Sequence, residues 1–233
     1  YVDHPSFGAA VIGRILEAEG LRVAIVPQPN WRDDLRDFRK LGRPRLFFGI
    51  SAGCMDSMVN KYTANKRLRS DDAYTPDGRP DMRPEYPSIV YTQILKKLYP
   101  DVPVVLGGIE ASMRRLSHYD YWQDRLKKSI LCESGADMLI YGMGEKPICE
   151  LVRRLTALCD NQDGVISSSD IHSPALSSIP QTAYLTRKYE SDENDITLYS
   201  HEECLADKKK QATNFRHIEE ESNKYAAARI CLL

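Results

Sequence analysis

Hydrophobic and polar positions alternate along this chain in blocks of two periods. Val11, Ile12, Ile15 and Leu16 follow Phe7 at helical spacing, and Gly20 supplies a stop, which predicts a helix from Phe7 to Gly20. The run Arg22 to Gln28 reads as a short buried strand. Asn30 is placed to cap a helix from Trp31 to Leu41, with Trp31, Leu35 and Phe38 on one face. Arg45 to Ser51 reads as a second strand. Ser88 can cap a helix reaching Tyr99 whose Tyr91, Leu95 and Leu98 face a core. Val102 to Leu106 is a third strand, closed by Gly107-Gly108. A helix from Ala111 to Leu131, a fourth strand from Ala136 to Tyr141, a Gly142-Met143-Gly144-Glu145 turn and a helix from Pro147 to Leu158 complete the series. Strands and helices alternating at this spacing predict an α/β fold, a doubly wound parallel sheet with helices on both faces. A helix of that kind follows a strand, so the first strand is expected upstream of Asp3.

Two stretches break the alternation. Cys54 to Pro87 is a long polar segment with a Pro/Gly cluster, and a loop of that length is commonly functional or disordered. Residues 160–182 are rich in Ser, Asp and Pro and read as a flexible linker. The pattern therefore gives an α/β domain over 1–159, the linker over 160–182, and a connector over 183–233. In the connector, Ala183 to Tyr189 and Asp195 to Tyr199 read as a strand pair, followed by a long charged helix from His201 to Arg229.

Composition narrows the class without changing the fold. The 233 residues are 42% hydrophobic and 28% charged, with a net charge of −1. That balance gives no electrostatic footprint for nucleic acid or an anionic membrane. No apolar run has the length of a membrane span, and a cytoplasmic setting is expected. Six cysteines stand at 54, 132, 149, 159, 204 and 231. None of them shares a short C-x-x-C or C-x-x-x-C-x-x-C spacing, so they read as structural thiols rather than zinc or cluster ligands.

Candidate chemistry gathers at one edge. In open α/β sheets ligands bind outside the carboxyl ends of the strands, beside a topological switch point. Asp3 to Gly8, Gly49 to Cys54, Gly107 to Glu110 and Gly142 to Glu145 all map there. Asp3 and Gly8 are placed like the ends of the cobalamin-binding pattern D-x-H-x-x-G, with Ser51 and Gly107-Gly108 resembling that fold's later serine and paired glycines. The histidine stands one place early, at His4, with Pro5 in its usual position; the plainer reading makes Asp3 a helix cap and His4 a polar loop residue. Glu145 either faces a ligand or sits at a positive helix end. Arg114 and His118, beside the aromatic run Tyr119 to Trp122, can hold a carboxylate or phosphate. Asp56 and Glu110 complete the candidates. There is no G-x-G-x-x-G fingerprint, P-loop or G-x-S-x-G elbow.

Together the strings Tyr1-Val-Asp-His-Pro-Ser-Phe-Gly8, Ser51-Ala-Gly-Cys-Met-Asp-Ser-Met58, Tyr62-Thr-Ala64 and Asp71-Asp-Ala-Tyr-Thr-Pro76 resemble the YgiQ-type radical S-adenosylmethionine proteins. So do Leu106-Gly-Gly-Ile-Glu-Ala-Ser112, His118-Tyr-Asp-Tyr-Trp122, Ala136-Asp-Met-Leu139, Thr182-Ala-Tyr-Leu185 and Phe215-Arg216. The resemblance implies a Rossmann-like, cobalamin-binding-like domain ahead of a radical barrel. In the full-length family, the barrel's cysteine triplet binds a 4Fe-4S cluster and S-adenosylmethionine. That triplet is absent here, so the barrel is the implied downstream partner, and this segment is expected to cover its mouth and help bind an undefined substrate. The long Cys54 to Pro87 loop is the element expected to reach across. The alternatives are a cobalamin-binding module for methyl transfer and a non-catalytic interaction domain.

Overall fold

A computed structural model describes residues 7–161, 164–187, 192–224 and 229–232, without the side chains of 160, 161, 231 and 232. Helix α1 spans Gly8–Ala18, α2 Arg36–Arg39, strand β1 Phe48–Ser51, α3 Ser57–Lys61, α4 Pro87–Leu98, β2 Val104–Gly107 and α5 Gly108–Met113. A hairpin of β3 (His118–Asp120) and β4 (Arg125–Lys127) follows, then α6 (Ile130–Ser134), β5 (Met138–Ile140) and α7 (Glu145–Asn161). Next come α8 (Ser168–Ile171), α9 (Pro174–Ser177), β6 (Thr182–Ala183), β7 (Ile196–Leu198), α10 (His201–Ala206), α11 (Lys208–Ser222) and β8 (Ile230–Leu232). The chain divides into two compact units: Tyr1–Arg115 with Ile130–Leu185, and Leu116–Ser129 with Thr186–Leu233.

The first unit is a mixed α/β layer built on a sheet of order β1-β2-β5-β6. The first three strands are parallel and β6 runs antiparallel to β5. Alternation within the strands assigns two cores. Val105, Met138 and Ile140 turn to one face, under Leu16 of α1 and Ile148, Leu151 and Leu155 of α7. Val104, Leu106 and Leu139 turn to the other, under Tyr91 and Leu95 of α4 and Ile130 and Leu131 of α6. A sheet covered on both faces needs apolar residues at every strand position, which is why these strands read as unbroken apolar runs. Strand order advances in one direction through the described parallel strands, with no reversal among them.

Several expected elements differ from those observed. Residues 22–28 form no ladder; Leu21 and Val23 pack on the α1/α7 core while Ile25 is 54% exposed. An apolar run laid beside a helix has the same composition as a buried strand. The helix expected from Trp31 shrinks to α2, because the Asp33 and Asp34 side chains accept from the Leu35 and Arg36 amides (2.9 and 3.1 Å). Such local bonds compete with helix start, and Leu35 takes a left-handed conformation (φ 60°). The helix expected over 111–131 splits into α5, the β3–β4 hairpin and α6. Its turn is held by Asp120, which accepts from the Gln123 amide at 2.8 Å, and by Asp124 at φ 51°.

Residues 160–182, expected as a flexible linker, bring Ile166, Ile171, Leu176 and Ile179 into the α7 core. The Ser168 amide donates to the Asp101 carbonyl (2.8 Å), and Lys96 donates to Ser168 Oγ (2.8 Å). The expected strand pair of 183–189 with 195–199 is replaced too: β6 joins β5, while β7 pairs in parallel with β8. Residues 188–191 lie outside the described residues. In the second unit the long helix expected from His201 breaks at Asp207, whose side chain accepts from the Lys209 amide (2.9 Å) and caps α11.

These burials separate two substitutions. Leu139→Ala, at a fully buried position of β5, is expected to cost about 2–5 kcal/mol. Ile25→Ala, in the unladdered segment, is expected to change stability by no more than about 0.5 kcal/mol. Urea unfolding of the two variants beside the parent checks both, and a large loss at Ile25 would restore a buried strand there.

Candidate functional site

The parallel strands end at Ser51, Gly107 and Ile140, and the backbone turns just beyond them are tied together. Gly108 takes φ +83°, and a Cβ there would lie 2.6 Å from Ser51 Oγ. Ser51 Oγ accepts from the Gly53 amide at 3.1 Å. Ser112 Oγ donates to the Gly108 carbonyl (2.8 Å) and accepts from the Gly142 amide (3.2 Å), so one hydroxyl joins the turns after β2 and β5. Gly142 is also left-handed at φ +69°, with Gln181 Nε2 at 3.2 Å from where its Cβ would stand. Gln181 Nε2 in turn donates to the Tyr141 carbonyl (3.3 Å). The Arg115 guanidinium lies 4.8 Å from the centre of the Tyr141 ring and donates to the Ser112 carbonyl. Glu145 opens α7 and lines an open cleft of about 620 Å³ with Ile15, Cys149, Arg153 and Gln181.

Beneath this edge lies a buried polar network. Glu110, fully buried, accepts from the Ser57 amide (3.2 Å), the Ser57 hydroxyl and the Ser88 amide (3.0 Å). Asp56 caps α3 by accepting from the Met58 and Val59 amides (3.0 and 3.3 Å) and pairs with Arg114. Burial works against the Arg114 charge, but the Asp56 partner more than offsets it, so its pKa is raised. The same guanidinium lies 5.2 Å from the centre of the Tyr86 ring. Tyr86 sits at φ 50°, ψ 61°, a left-handed conformation that costs a non-glycine residue about 1–3 kcal/mol and persists where its surroundings hold it. Farther along the segment, Arg83 donates to Asp72 through Nε and a terminal nitrogen (3.2 and 2.7 Å), both residues being buried. Burial pushes the Asp72 carboxyl up, but the Asn60 amide beside it, the Tyr74 N–H and Arg83 together hold it below the usual carboxylate range.

The candidate residues thus separate by environment. Ser51, Gly108 and Gly142 are exposed at the edge, and Gly107 and Glu145 are half-buried there. Asp56, Glu110 and Arg114 lie together in the buried network. His118 belongs to the second unit, its Nδ1 3.0 Å from the Leu116 carbonyl. Asp3 and His4 lie outside the described residues. The segment from Cys54 to Pro87, expected to reach across to a partner, is anchored to α5 through Asp56 on Arg114 and Ser57 on Glu110. Sequence reasoning did not single out Ser57, Ser112, Gln181 or the Asp72–Arg83 pair, and it read Ser88 only as a helix cap, whereas Tyr86 holds that position and Ser88 lies inside the first turn of α4. The signal for Ser57 was present: Asp56 before a short apolar run is a helix-capping position.

Comparison with known proteins adds the family. The family model described as Radical SAM N-terminal matches residues 1–232. The chain belongs to that family. It is 78% identical over 232 residues to a UPF0313 protein of Bacteroides thetaiotaomicron, covering 99% of this chain and 37% of the relative. A UPF0313 protein of Porphyromonas gingivalis is 70% identical over 233 residues, 99% of this chain and 35% of that protein. The UPF0313 protein YgiQ of Escherichia coli is 58% identical over 155 residues, 66% of this chain and 21% of its own length. The chain therefore spans little more than a third of the relatives that match it throughout. No solved structure matches it. Among the described residues no cluster of three or more His, Cys, Asp or Glu is arranged to hold a metal ion, and no helix is long and apolar enough to cross a membrane.

Two outcomes test this construction. Gly108→Ala would strain a left-handed position by about 1–2 kcal/mol and displace Ser51 Oγ from the Gly53 amide, at a further cost of about 1 kcal/mol. Urea unfolding of the single and double variants should show that Ser51→Ala relieves part of the Gly108→Ala loss; full additivity would remove the steric argument. Asp72 has a depressed folded pKa, so its contribution is present above the unfolded value of about 3.9 and is lost as pH falls through the folded one. The stability gap between the parent and Asp72→Asn should therefore be level above about pH 5 and close as pH falls below about 4. A gap that does not narrow with acid would contradict the pairing with Arg83.

Proposed function

We propose that this chain is the amino-terminal, substrate- or cofactor-facing domain of a cytoplasmic radical S-adenosylmethionine iron–sulfur enzyme whose cluster-binding barrel lies downstream. The observation that carries this reading is the Radical SAM N-terminal match over residues 1–232, joined to relatives nearly three times the length of this chain. The six dispersed cysteines do not form a cluster-ligand triplet, so the residues of this chain do not fit the 4Fe-4S group. Such a group, held by residues outside this chain, would supply the one-electron chemistry of the full-length protein toward S-adenosylmethionine.

What this chain contributes is a Rossmann-like platform. Ser51, Gly107, Gly108, Gly142 and Glu145 present the surface that would face substrate. Asp56, Glu110 and Arg114 act as positioning residues from below, and His118 stands as a separate candidate on the second unit. Cobalamin draws no support from the described edge: the smallness of Gly108 is already required by its φ and by Ser51 Oγ, with no bulky ligand needed to explain it.

Anaerobic reconstitution of the full-length protein with iron and sulfide should give the broad cluster absorption. Dithionite and S-adenosylmethionine should then yield 5′-deoxyadenosine. Ser51→Ala and Glu145→Ala should keep that absorption while weakening substrate-coupled turnover. A full-length protein that binds no cluster would sink the enzyme reading and favour a non-catalytic interaction domain, while retention of hydroxocobalamin would favour the methyl-transfer alternative.

A further inference from the structure

The two sides of α5 are built for different purposes. Inward, Glu110 and Ala111 are fully buried and Arg114 nearly so, and the first and last of these are held by the hydrogen bonds and ion pair described above. Outward, Ile109 is 42% and Met113 59% exposed, four residues apart and so stacked on one side of the helix. Met143, in the turn that Ser112 ties to α5, is 74% exposed. Single exposed apolar side chains are ordinary on a protein surface. Three at one sheet edge, two of them methionines and two of them on a helix pinned from behind, are less so. Methionine is unbranched and adapts its shape to a partner, which suits it to a packing surface.

We propose that the outward side of α5 and the turn after β5, marked by Ile109, Met113 and Met143, form the intramolecular interface on which the rest of the full-length protein packs. The occupant is argued from length. The Bacteroides relative aligns along 99% of this chain, yet those residues make up 37% of it, so most of the length of such a protein lies outside the part this chain matches. The proposal rests on the reading of this chain as one domain of a longer enzyme. The partner surface would be apolar, since Ile109, Met113 and Met143 carry no charge to be matched.

Photolabelling of the anaerobic full-length protein with a small diazirine carbene probe, resolved by peptide mass spectrometry, tests it. Leu41 (59% exposed) and Met82 (43% exposed) in the same unit serve as internal controls. Ile109, Met113 and Met143 should label several-fold less than these two. A full-length Ile109→Asp/Met113→Asp variant, altered only at exposed positions, should restore labelling at Met143 to the control level. Labelling of all three in proportion to their exposure in this unit would overturn the proposal. So would protection that disappears on dilution, which would assign the surface to a second copy, or protection gained only on adding lipid vesicles, which would assign it to a membrane. Cluster absorption is recorded on the same samples, so protection without a cluster would defeat the enzyme reading and leave the interface standing.

Discussion

The Glu110 carboxyl group is where the long 52–87 segment, helix α4 and the end of strand β2 are joined. It is fully buried, and it receives a backbone amide and a hydroxyl from Ser57 and a backbone amide from Ser88. A buried polar group without partners costs far more than a satisfied one returns, so these three donors must be present together for the arrangement to persist. Helix α5 has six residues, too short to hold its shape unaided in water. Its geometry is instead imposed by Glu110 on one turn and Arg114 on the next, the latter paired to the Asp56 cap of α3. The same contacts hold Tyr86 in its left-handed conformation at the start of α4. Removing one member therefore disturbs several backbone turns at once, and those turns carry the candidate edge.

Much of the sheet was legible because burial on both faces leaves a compositional trace. The runs around Phe48, Val104 and Met138 are apolar at successive positions, bounded by glycine or a polar cap, and each appears as a parallel strand. The same signal failed at Arg22 to Gln28, where Val23 packs on the α1/α7 core and the run has no ladder partner among the described residues. Pattern reports that a residue is apolar, not what covers it. Across 111–131 helical spacing misled, since Asp120 and Asp124 set a turn that their neighbours' periodicity does not reveal. Over 160–182 the Ser, Asp and Pro content hid four buried aliphatic side chains, Ile166, Ile171, Leu176 and Ile179, spaced too irregularly to show a helical or strand period.

The candidate site divides along similar lines. Glycine announces backbone geometry, so Gly107-Gly108 and Gly142 were visible from the sequence and mark the turns the structure contains. Charged residues announce nothing about burial. Asp56, Glu110 and Arg114 read from sequence as groups aimed at a ligand, because acids and arginines are seldom fully buried. Their spacing is also compatible with a network that satisfies itself internally. Only the three-dimensional positions of Ser57 and Ser88, more than twenty residues from Glu110 along the chain, show that it does.

This internal satisfaction constrains what the edge can do. A carboxyl group that already accepts three hydrogen bonds has little left to offer a substrate, and extracting it would leave Ser57 and Ser88 donors unmet. The network is better suited to holding α5 and the turn after β5 rigid than to chemistry. Rigidity has value at a binding surface, because groups already fixed lose little further freedom on association. The Ser112 hydroxyl extends that fixed frame from the Gly108 carbonyl to the Gly142 amide, so neighbouring turns behave as one piece. Buried charge below and exposed methionine above are thus two sides of one construction, in which the polar side sets the geometry and the apolar side makes use of it.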